Sequence, residues 1–370
     1  MPTAQIPRAP QPRIIDLFAG PGGLDVGASW LGIPATGIEL DANACKTRNA
    51  AGLETVQGDV RAYGPSDFRD ATVLAGGPPC QTFTVAGAGS GRRALDHVIR
   101  RVAELENSRC AEGASSEFAD ERTGLVLEPM RWALLALRAN RPFGAIVLEQ
   151  VPAVMPIWEA FGRVLERNGY GVAHGILRTE EFGVPQTRRR AILIARLDEE
   201  NVTLPTPTHQ RFRRGAADQG AFEFPQLQPW VSMGVALRRK TNFTVVSNYG
   251  SGGDPRNRGQ RHSNEPAATV TGKIMRNRLR LADGAEVRLS HHEAGVLQTF
   301  PPDFPWRGSD IGQQIGNAIP PRLAVHVLAH ALKISLDGFE LDRAVNASWK
   351  SPQQARMPGD FEAAMVGTSD

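Results

Sequence analysis

The first half of the chain alternates short apolar runs with stretches of helical periodicity. Helical patterns, as at residues 24–31, 41–51 and 129–139, separate several of the apolar runs. The runs of strand length occupy residues 14–18, 35–39, 72–75, 145–148, 172–177 and 191–195. Strands that alternate with helices in this way form a parallel sheet that helices cover on both faces. The pattern therefore predicts an α/β fold with a doubly wound, mostly parallel sheet.

The second half of the chain has a different texture. From about residue 197 the sequence is rich in Pro, Thr, Gln and Arg and holds short β-like pieces, until helical patterns return near residue 289. This change predicts a second, smaller and irregular domain. We expect domains at residues 1–197 and 198–305, a segment at 306–346 that returns to the first domain, and a disordered tail at 347–370.

Charge is distributed unevenly along the chain. The 42 Lys and Arg residues nearly balance the 39 Asp and Glu residues, which leaves a net charge of +3. Residues 205–290, however, hold 14 basic and 6 acidic side chains, a local net charge of about +8. Such a segment is expected to face a polyanion. A basic surface that is merely solvated is the alternative.

Cysteine usage and apolar runs indicate where the protein works. The three cysteines Cys45, Cys80 and Cys110 form neither an even disulfide set nor a Cys-x-x-Cys metal pair, which favours a reducing compartment and no metal. Residues 1–13 lack the apolar core of a signal peptide, and no run approaches membrane-spanning length. We therefore expect a cytoplasmic protein that has no membrane partner.

A glycine-rich turn follows the first predicted strand, in Asp16-Leu17-Phe18-Ala19-Gly20-Pro21-Gly22-Gly23-Leu24. Glycines at this place let the backbone approach a ligand and expose amides at a helix start. Glu39 ends the next strand, where a carboxylate can accept from both hydroxyls of a ribose. Asp59, in Gly58-Asp59-Val60, ends the β-unit that follows, where a carboxylate can accept from an adenine amino group. The turn lacks the third glycine of the dinucleotide fingerprint, but together with the two acids it predicts a nucleoside cofactor.

Cys80 lies in a stiff loop, Gly76-Gly77-Pro78-Pro79-Cys80-Gln81, directly after a predicted buried strand. In open α/β sheets, ligands bind at the carboxyl ends of the strands, which is where this loop places the thiol. A lone cysteine is more often a buried small hydrophobe. The Pro-Pro-Cys context and the neighbouring motifs favour a nucleophile instead.

A series of motifs in this order resembles that of the cytosine-C5 DNA methyltransferase family. The series comprises the turn at residues 16–23, Pro78-Pro79-Cys80-Gln81, Asp120-Glu121-Arg122 with Leu125, Glu149-Gln150-Val151, Gln186-x-Arg188-x-Arg190, residues 288–304 and Gly316-Asn317-Ala318-Ile319-Pro320-Pro321. The resemblance implies a Rossmann-like class I methyltransferase that uses S-adenosyl-L-methionine and double-stranded DNA. A tRNA cytosine-C5 methyltransferase and a catalytically silent DNA-binding homologue are the alternatives.

The resemblance also implies a division of chemical roles. Cys80 is expected to add to C6 of a flipped cytosine while Glu149 assists at N3 and C5 takes the methyl group. Arg188 and Arg190 are expected to complete the catalytic set, because alternate residues of an extended segment point the same way. Arg188 is a candidate for favouring the thiolate, and one of the two arginines is expected to hold the O2 edge or the flipped phosphate. For Glu149, a structural carboxylate that pairs with an arginine is the alternative, and for Arg190 it is an ion pair that bridges the domains.

A target base must leave the duplex to reach Cys80. We interpret residues 87–120 as a long mobile loop, in which residues 94–106 can form a helix, that closes over the extruded base. The loop is longer than the family minimum, and residues 100–116 are interpreted as an insertion of unknown use.

Further contacts are carried over residue by residue. The cofactor contacts implied are Asp16, Phe18, Ala19, Gly20, Gly22, Gly23, Leu24, Glu39, Leu40, Asp59, Val60, Pro78, Leu125, Asn317 and Ala318. The DNA contacts implied are Gln81, Gln186, Arg256, Arg258, Thr269, Thr271, Lys273, Arg276 and Arg278. We expect a monomer, with a cognate restriction endonuclease as its genetic partner.

Gln150 departs from the family pattern, which usually has Asn at this position. Gln keeps the amide donor and acceptor and adds one methylene group. An altered alkyl donor or an altered substrate therefore stays open.

Overall fold

A computed structural model describes residues 11–79, 90–107, 121–214, 227–247 and 259–349 of the chain. Within these ranges the backbone forms one sheet of 7 strands and one sheet of 4 strands. None of the described helices is long and apolar enough to cross a membrane.

The larger sheet has the strand order β3-β2-β1-β4-β5-β7-β6. Its strands are β1 (Ile14–Leu17), β2 (Ala35–Glu39), β3 (Glu54–Gln57), β4 (Val73–Gly76), β5 (Ala145–Gln150), β6 (Tyr170–Arg178) and β7 (Arg189–Leu197). The pairs from β3 to β5 are parallel, whereas β7 runs antiparallel to both β5 and β6. The prediction of a mostly parallel sheet is confirmed. Strand β3 was missed, because it is a partly exposed edge strand that begins and ends with exposed polar residues.

Alternation along the central strands separates two hydrophobic layers. Ile14 and Val147 pack into one layer, while Ile15 and Leu148 pack into the other, as successive strand residues face opposite sides. Helices α1 (Gly23–Trp30) and α10 (Pro321–Ala331) cover the first face, and helices α3 (Ser90–Asn107), α5 (Glu128–Arg138) and α6 (Met155–Arg167) cover the second. The sheet is therefore doubly wound, as predicted. The remaining helices are α2 (Ala42–Ala50), α4 (Glu121–Leu125), α7 (Met233–Ala236), α8 (His291–Leu297), α9 (Ile311–Asn317) and α11 (Gly338–Asn346).

Helix α3 corrects the interpretation of residues 87–120 as one mobile loop. Its apolar positions Val98, Val102 and Leu105 are spaced by helical turns and are 0%, 1% and 3% exposed in the second layer. At its end, Glu106 forms an ion pair with Arg167 of α6 at 2.5 Å. The middle of the predicted loop is thus an anchored helix, because its amphipathic face is buried against the domain. Residues 80–89 and 108–120 lie outside the described part.

The smaller sheet is antiparallel and has the order β11-β10-β8-β9. Its strands are β8 (Phe243–Val246), β9 (Gln260–His262), β10 (Arg278–Leu281) and β11 (Glu286–Val287), all inside the predicted second domain. Phe243, Val245 and Leu279 are buried and extend the first hydrophobic layer. The second half of the chain therefore packs onto the same core as α1 and α10.

The chain does not become a free tail at residue 347, as the sequence suggested. The backbone N–H of Trp349 donates to Asp303 at 2.6 Å, and its indole N–H donates to the carbonyl of Ala51 at 3.1 Å. Its ring also packs on Phe304, with centroids 5.5 Å apart. An aromatic side chain with a satisfied N–H anchors these last described residues. Residues 350–370 lie outside the described part.

Candidate active site

A cleft of 1090 Å³ lies at the carboxyl ends of β1, β2, β4 and β5. The strand order reverses direction between β1 and β4, so the cleft lies at the topological switch point, where open α/β sheets bind ligands. Distant parts of the sequence line it, namely the glycine turn, the ends of β2, β3, β4 and β5, Leu125, Arg190 and several residues between 310 and 319. The fold thereby brings the separate motifs to one place.

The glycine turn after β1 has an unusual backbone. Phe18, Gly20 and Gly22 have φ angles of 62°, 55° and 101°, in the left-handed region that costs free energy for Phe. Gly23 packs so closely against the segment of Ile319 that a methyl group at Gly23 would lie 2.2 Å from the carbonyl oxygen of Ile319. Glycine is therefore required at Gly23 by packing, while the strained Phe18 is held at the edge of the cleft.

Glu39 is fixed by two backbone amides at the end of β2. Its Oε2 accepts from the N–H of Gly20 and its Oε1 accepts from the N–H of Asp41, both at 2.7 Å. A carboxylate oxygen has more than one lone-pair site, so both oxygens can still accept from a ligand. Glu39 therefore links the glycine turn to the cleft wall and keeps acceptors for a ligand. Leu40, 64% exposed, adds an apolar surface beside it.

Asp59 also lines the cleft, but it shares its carboxylate with Arg61. The guanidinium of Arg61 donates to both oxygens of Asp59, the shorter contact being 2.6 Å. Hydrogen bonds from Arg61 lower the pKa of Asp59, so the group is a carboxylate at neutral pH. A ligand donor at this place competes with Arg61 or binds beside it.

Asp16 forms the floor of the cleft above a buried ion pair. The two guanidinium nitrogens Nη1 and Nη2 of Arg48 each donate to a carboxylate oxygen of Asp25 at 2.8 Å, and both side chains are fully buried. Asp16 is 3% exposed next to this pair. Burial and the neighbouring Asp25 raise the pKa of Asp16 well above its usual range. The protein thus places a carboxyl that resists ionisation below the glycine turn.

Glu149 and Arg190 form an ion pair at the opposite wall. Oε1 of Glu149 lies 2.5 Å from Nε of Arg190, and each side chain is 11% exposed. Because β4 and β5 are parallel neighbours, Glu149 also lies beside Gly77, where a methyl group would be 3.6 Å from Oε2. Cys80 follows Gly77 by three residues and lies outside the described part. The carboxyl is therefore held between an arginine and the start of the cysteine loop.

The amide of Gln150 holds the same loop. Its Nε2 donates to the carbonyl oxygen of Pro78, and its Oε1 accepts from the N–H of Val151, both at 2.5 Å. Pro78 therefore serves as an acceptor for this amide and does not line the cleft, contrary to its predicted role as a cofactor contact.

Arg188 and Arg190 contact different parts of the protein, although Arg188 bonds to the segment of residues 316–318 and Arg190 lines the cleft that this segment also lines. Arg188 precedes β7, is 1% exposed and does not line the cleft. Its guanidinium donates to the carbonyl oxygens of Val270, Gly316 and Ala318 at 2.8, 2.9 and 3.2 Å. Of the two arginines, Arg188 is thus the one that bridges distant segments, and Arg190 is the one that reaches the site.

Gln186, predicted as a DNA contact, is completely buried. Its Nε2 donates to Leu297 O and to Gln298 Oε1, at 2.9 and 2.7 Å, and its Oε1 accepts from the N–H of Val270 at 2.9 Å. A side chain that is 0% exposed and bonded in this way has no surface for DNA. In this structure Gln186 therefore holds parts of the second domain together, and a DNA contact of its side chain stays a prediction.

Most of the predicted ligand residues do meet in the cleft. All the cofactor residues predicted from the sequence line it, except Pro78 and Gly22, which begins α1 in a left-handed conformation. Gln150, singled out in the sequence, also lines it, whereas sequence reasoning missed several other polar residues there, namely Asp41, Arg61, Asp310, Gln313 and Gln314. Position next to a predicted ligand could have identified Asp41, whereas the others depend on the tertiary packing.

Predicted DNA contacts of the second domain lie on one connected stretch. Lys273 and Arg276 are exposed and Arg278 is half-buried at the start of β10. Thr269 donates from Oγ1 to the carbonyl of Thr187 at 2.8 Å, and Oγ1 of Thr271 accepts from the N–H of Lys273 at 3.3 Å. The two threonines therefore order a turn, and the basic residues remain available at the surface. The other predicted contacts Gln81, Arg256 and Arg258 lie outside the described residues.

The chain is similar to known proteins over most of its length. Residues 12–99 and 110–248 match the family model described as C-5 cytosine-specific DNA methylase, and the break at 100–109 lies inside the expected insertion. The type II methyltransferase M1.HphI of Haemophilus parahaemolyticus is 28% identical over 87% of this chain and 87% of its own. The type II methyltransferase M.AplI of Arthrospira platensis is 27% identical over 93% of this chain and 92% of its own.

Solved structures share the fold. The Dnmt2 methyltransferase of S. pombe aligns over 87% of this chain and 98% of its own, with a TM-score of 0.59 and 17% identity. The methyltransferase EhMeth of Entamoeba histolytica also aligns over 87% of this chain and 98% of its own, with a TM-score of 0.53 and 13% identity.

Proposed function

Because the chain belongs to the C-5 cytosine-specific DNA methylase family, we propose a mechanism for methyl transfer in which its own residues have defined roles. The enzyme is a DNA (cytosine-5-)-methyltransferase, and S-adenosyl-L-methionine is its methyl donor. Double-stranded DNA is the proposed form of the substrate. By analogy with the type II relatives, we expect a cognate restriction endonuclease as genetic partner, and a monomer in solution.

The residues of the cleft fit the cofactor. Both oxygens of Glu39 can accept from the ribose hydroxyls, and Asp59 can accept from the adenine amino group. Phe18 and Leu40 offer apolar surface to the adenine ring at the same wall. When bound, S-adenosyl-L-methionine supplies an electrophilic methyl group. The cleft volume of 1090 Å³ is close to the upper end of the roughly 300–1,000 Å³ of ordinary ligand sites.

The contact between Glu149 and Arg190 carries the proposal. Cytosine C5 is a weak nucleophile until a thiolate adds to C6, and the thiolate of Cys80 is the proposed attacking group. Glu149, 2.5 Å from Arg190 and beside the start of the cysteine loop, can donate a hydrogen bond or a proton to N3. This draws electrons from C6 as the sulfur attacks. Once C5 carries the methyl group that the cofactor would supply, loss of the C5 proton to a base and of the thiolate restores the aromatic ring.

The sequence left open whether Arg188 or Arg190 holds the O2 edge of the base, and we assign this role to Arg190. Its guanidinium orients the carboxyl of Glu149 and has further N–H groups that can donate to O2 of the base. Arg188 is excluded from that role by its burial and by its three carbonyl partners. The proposed catalytic set is therefore Cys80, Glu149 and Arg190.

Methyl transfer to defined substrates tests the proposal. The purified protein is incubated with labelled S-adenosyl-L-methionine and either duplex DNA of mixed sequence or tRNA, and the modified base is analysed. We expect 5-methylcytosine in DNA, and labelling of tRNA alone would contradict the assignment. Cys80→Ser should lose transfer and keep cofactor binding, because a hydroxyl is a far poorer nucleophile at neutral pH.

Covalent trapping identifies the nucleophile directly. DNA that carries 5-fluorocytosine should form a stable adduct at Cys80, since C5 then has no proton to release. Cys45 provides a matched control, because it is buried and its burial raises the pKa of its thiol. Cys45→Ser should still form the adduct. An adduct mapped to Cys45 or Cys110 would show that the nucleophile is assigned wrongly.

A further inference from the structure

Arg188 joins two segments that belong to different parts of the proposed active site. One is Val270, in the turn of the second domain that precedes the exposed basic residues Lys273 and Arg276. The other is the segment of Gly316 and Ala318, of which both residues line the cofactor cleft. The guanidinium donates to carbonyl oxygens of both segments at 2.8–3.2 Å and is nearly inaccessible to water. Its planar fork fixes the distance between them.

Two buried glutamines reinforce the same connection. Gln186 accepts from the backbone N–H of Val270, and Arg188 donates to the carbonyl oxygen of the same Val270. Gln186 donates to Gln298, and Gln298 donates to the carbonyl oxygen of Ile315 at 2.7 Å. Both glutamines are 0% exposed. The second-domain turn and the cleft segment are therefore linked by two parallel routes of buried hydrogen bonds.

The two backbones also touch directly. A methyl group at Gly316 would lie 2.2 Å from the backbone nitrogen of Gly272, and one at Gly272 would lie 2.1 Å from Oε1 of Gln313. Packing this close cannot absorb a shift of one segment without moving the other. A ligand that changes the position of Asn317 or Ala318 must therefore act on residues 270–272.

We propose that Arg188 is a positioning residue that couples cofactor binding to DNA binding. The inference rests on the proposed function, since it takes residues 316–318 as a cofactor contact and residues 269–278 as a DNA contact. When the cofactor binds, it orders the cleft segment of residues 316–318. Arg188 transmits this order to the turn at residues 270–272, and the basic surface that follows the turn is then positioned for DNA. Linkage then requires that DNA tightens cofactor binding by the same factor, in the range of about 5- to 150-fold for typical couplings.

Hydrogen exchange of the unmodified protein tests the connection without any variant. S-Adenosylhomocysteine is added in the absence of DNA, and exchange is followed peptide by peptide. We expect slower exchange in residues 16–24 and 316–318 and also in residues 267–274, where the N–H of Val270 is bonded to Gln186. Protection that stops at the cleft would overturn the coupling, while no binding at all would contradict the proposed function instead.

A thermodynamic cycle tests Arg188 itself. DNA affinity is measured with and without S-adenosylhomocysteine on a duplex that carries the sequence found to be methylated. Arg188→Lys keeps the positive charge but loses the fork, so the cofactor-dependent gain should fall toward one. Arg138→Lys is the matched control, because Arg138 also donates to a backbone carbonyl, that of Leu105, far from both segments.

A purely structural role of Arg188 predicts a different result. Both affinities would then fall together, and the ratio between them would keep its value in the unmodified enzyme. If folded Arg188→Lys keeps the cofactor-dependent gain in DNA affinity of the unmodified enzyme, the proposal is contradicted. Thermal unfolding of each variant shows whether the folded protein is being compared.

Discussion

The side-chain amide of Gln150 donates a hydrogen bond to the carbonyl oxygen of Pro78, with 2.5 Å between the two heavy atoms. Pro78 stands two residues before the proposed nucleophile Cys80, and Gln150 directly follows the proposed N3 contact Glu149. One amide thus fixes the relative position of the two loops that must meet at the base. Asn, the residue usual in the family, is one methylene shorter, so the extra length of Gln supplies this reach here.

Shortening Gln150 should therefore slow the chemical step. Gln150→Asn is expected to lose the bond to Pro78 and to lower kcat by about 5-fold, which corresponds to about 1 kcal/mol for one hydrogen bond. Cofactor affinity should change less than kcat. Single-turnover kinetics and calorimetry measure the two quantities, and mass analysis of the product base shows which alkyl group is transferred. If Gln150→Asn and Gln150→Leu both react at the normal rate, the amide does not position the loop.

Removing the acid at N3 should have a larger effect. Glu149→Gln keeps the size of the side chain and loses its proton donor, so kcat should fall by about 10²- to 10⁴-fold. Arg190→Lys should give a smaller loss, since it keeps a charge but not the fork that orients Glu149. A double-mutant cycle should show that the two effects are not additive. Additive losses would mean that the ion pair has no role in the transition state.

Cofactor affinity should depend on Glu39 more than on Asp59. Glu39→Ala removes a ligand acceptor and also the partner of two backbone amides, whereas Asp59 already shares its oxygens with Arg61. We expect each change to weaken S-adenosyl-L-methionine binding by about 1–3 kcal/mol, with the larger loss at Glu39. Calorimetry of the folded variants measures this. Glu54→Ala, at the exposed edge strand, is the control, and unchanged binding in both cleft variants would place the cofactor elsewhere.

The sequence predicted the fold better than the direction of individual side chains. Apolar runs specify the central strands, because these strands are buried on both faces and tolerate few polar residues. The partly exposed edge strand β3 has no such pattern. A helix was expected at residues 94–106, and α3 contains this range. What the sequence did not predict is its anchoring, because the glycine and serine around it suggested a mobile loop, whereas Val98, Val102 and Leu105 are buried.

Motifs located the site but could not divide its polar residues between surface and core. Gln186, Arg188 and Arg190 share one short motif, and the structure assigns the first two to buried bonds and the third to the cleft. The difference arises because Arg188 and Gln186 meet segments that are distant in sequence, near Val270 and Ala318. Alternation along one strand cannot show such partners. Tertiary packing therefore decided the outcome.

Two buried histidines away from the cleft should make the protein sensitive to mild acid. Burial lowers the pKa of His209 to about 4 and that of His326 to about 3, with a smaller contribution from Arg322. The unfolded chain, with pKa values near 6.5, binds protons first, so stability falls as the pH decreases from about 6.5 toward 4. We expect Tm to fall in this window.

Replacement of one histidine isolates its contribution. His326→Gln should lower Tm at pH 7.5 through altered packing, yet show a weaker further decrease between pH 6.5 and 4 than the unmodified protein. The same slope in His326→Gln and the unmodified protein would mean that His326 is not a source of the acid sensitivity.

The basic residues of the second domain should divide into those that hold phosphates and those that read bases. Lys273 and Arg276 are exposed on the stretch that packs against the cleft segment, so we expect them to contact the DNA backbone. Lys273→Ala and Arg276→Ala should weaken binding to all sequences alike and reduce the slope of log affinity against log salt by about one each. Arg258 and Arg278 are expected to hold phosphates as well, whereas a base-reading side chain of the same segment should behave differently.

Loss of a base-reading side chain should relax the preference at one position, with about 1–3 kcal/mol of discrimination lost, and should leave the salt slope nearly unchanged. Loss of Lys273, Arg276 or Arg278 should not alter cofactor affinity in the absence of DNA, because none of these three side chains lines the cleft. DNA affinity against salt and sequence, measured beside cofactor affinity, separates the classes. Arg343→Ala is the control, since Arg343 is exposed on α11 and paired with Glu340. If every variant of the second domain binds DNA like the unmodified enzyme, recognition must lie elsewhere, and residues 87–120, which contain α3, are the next segment to test.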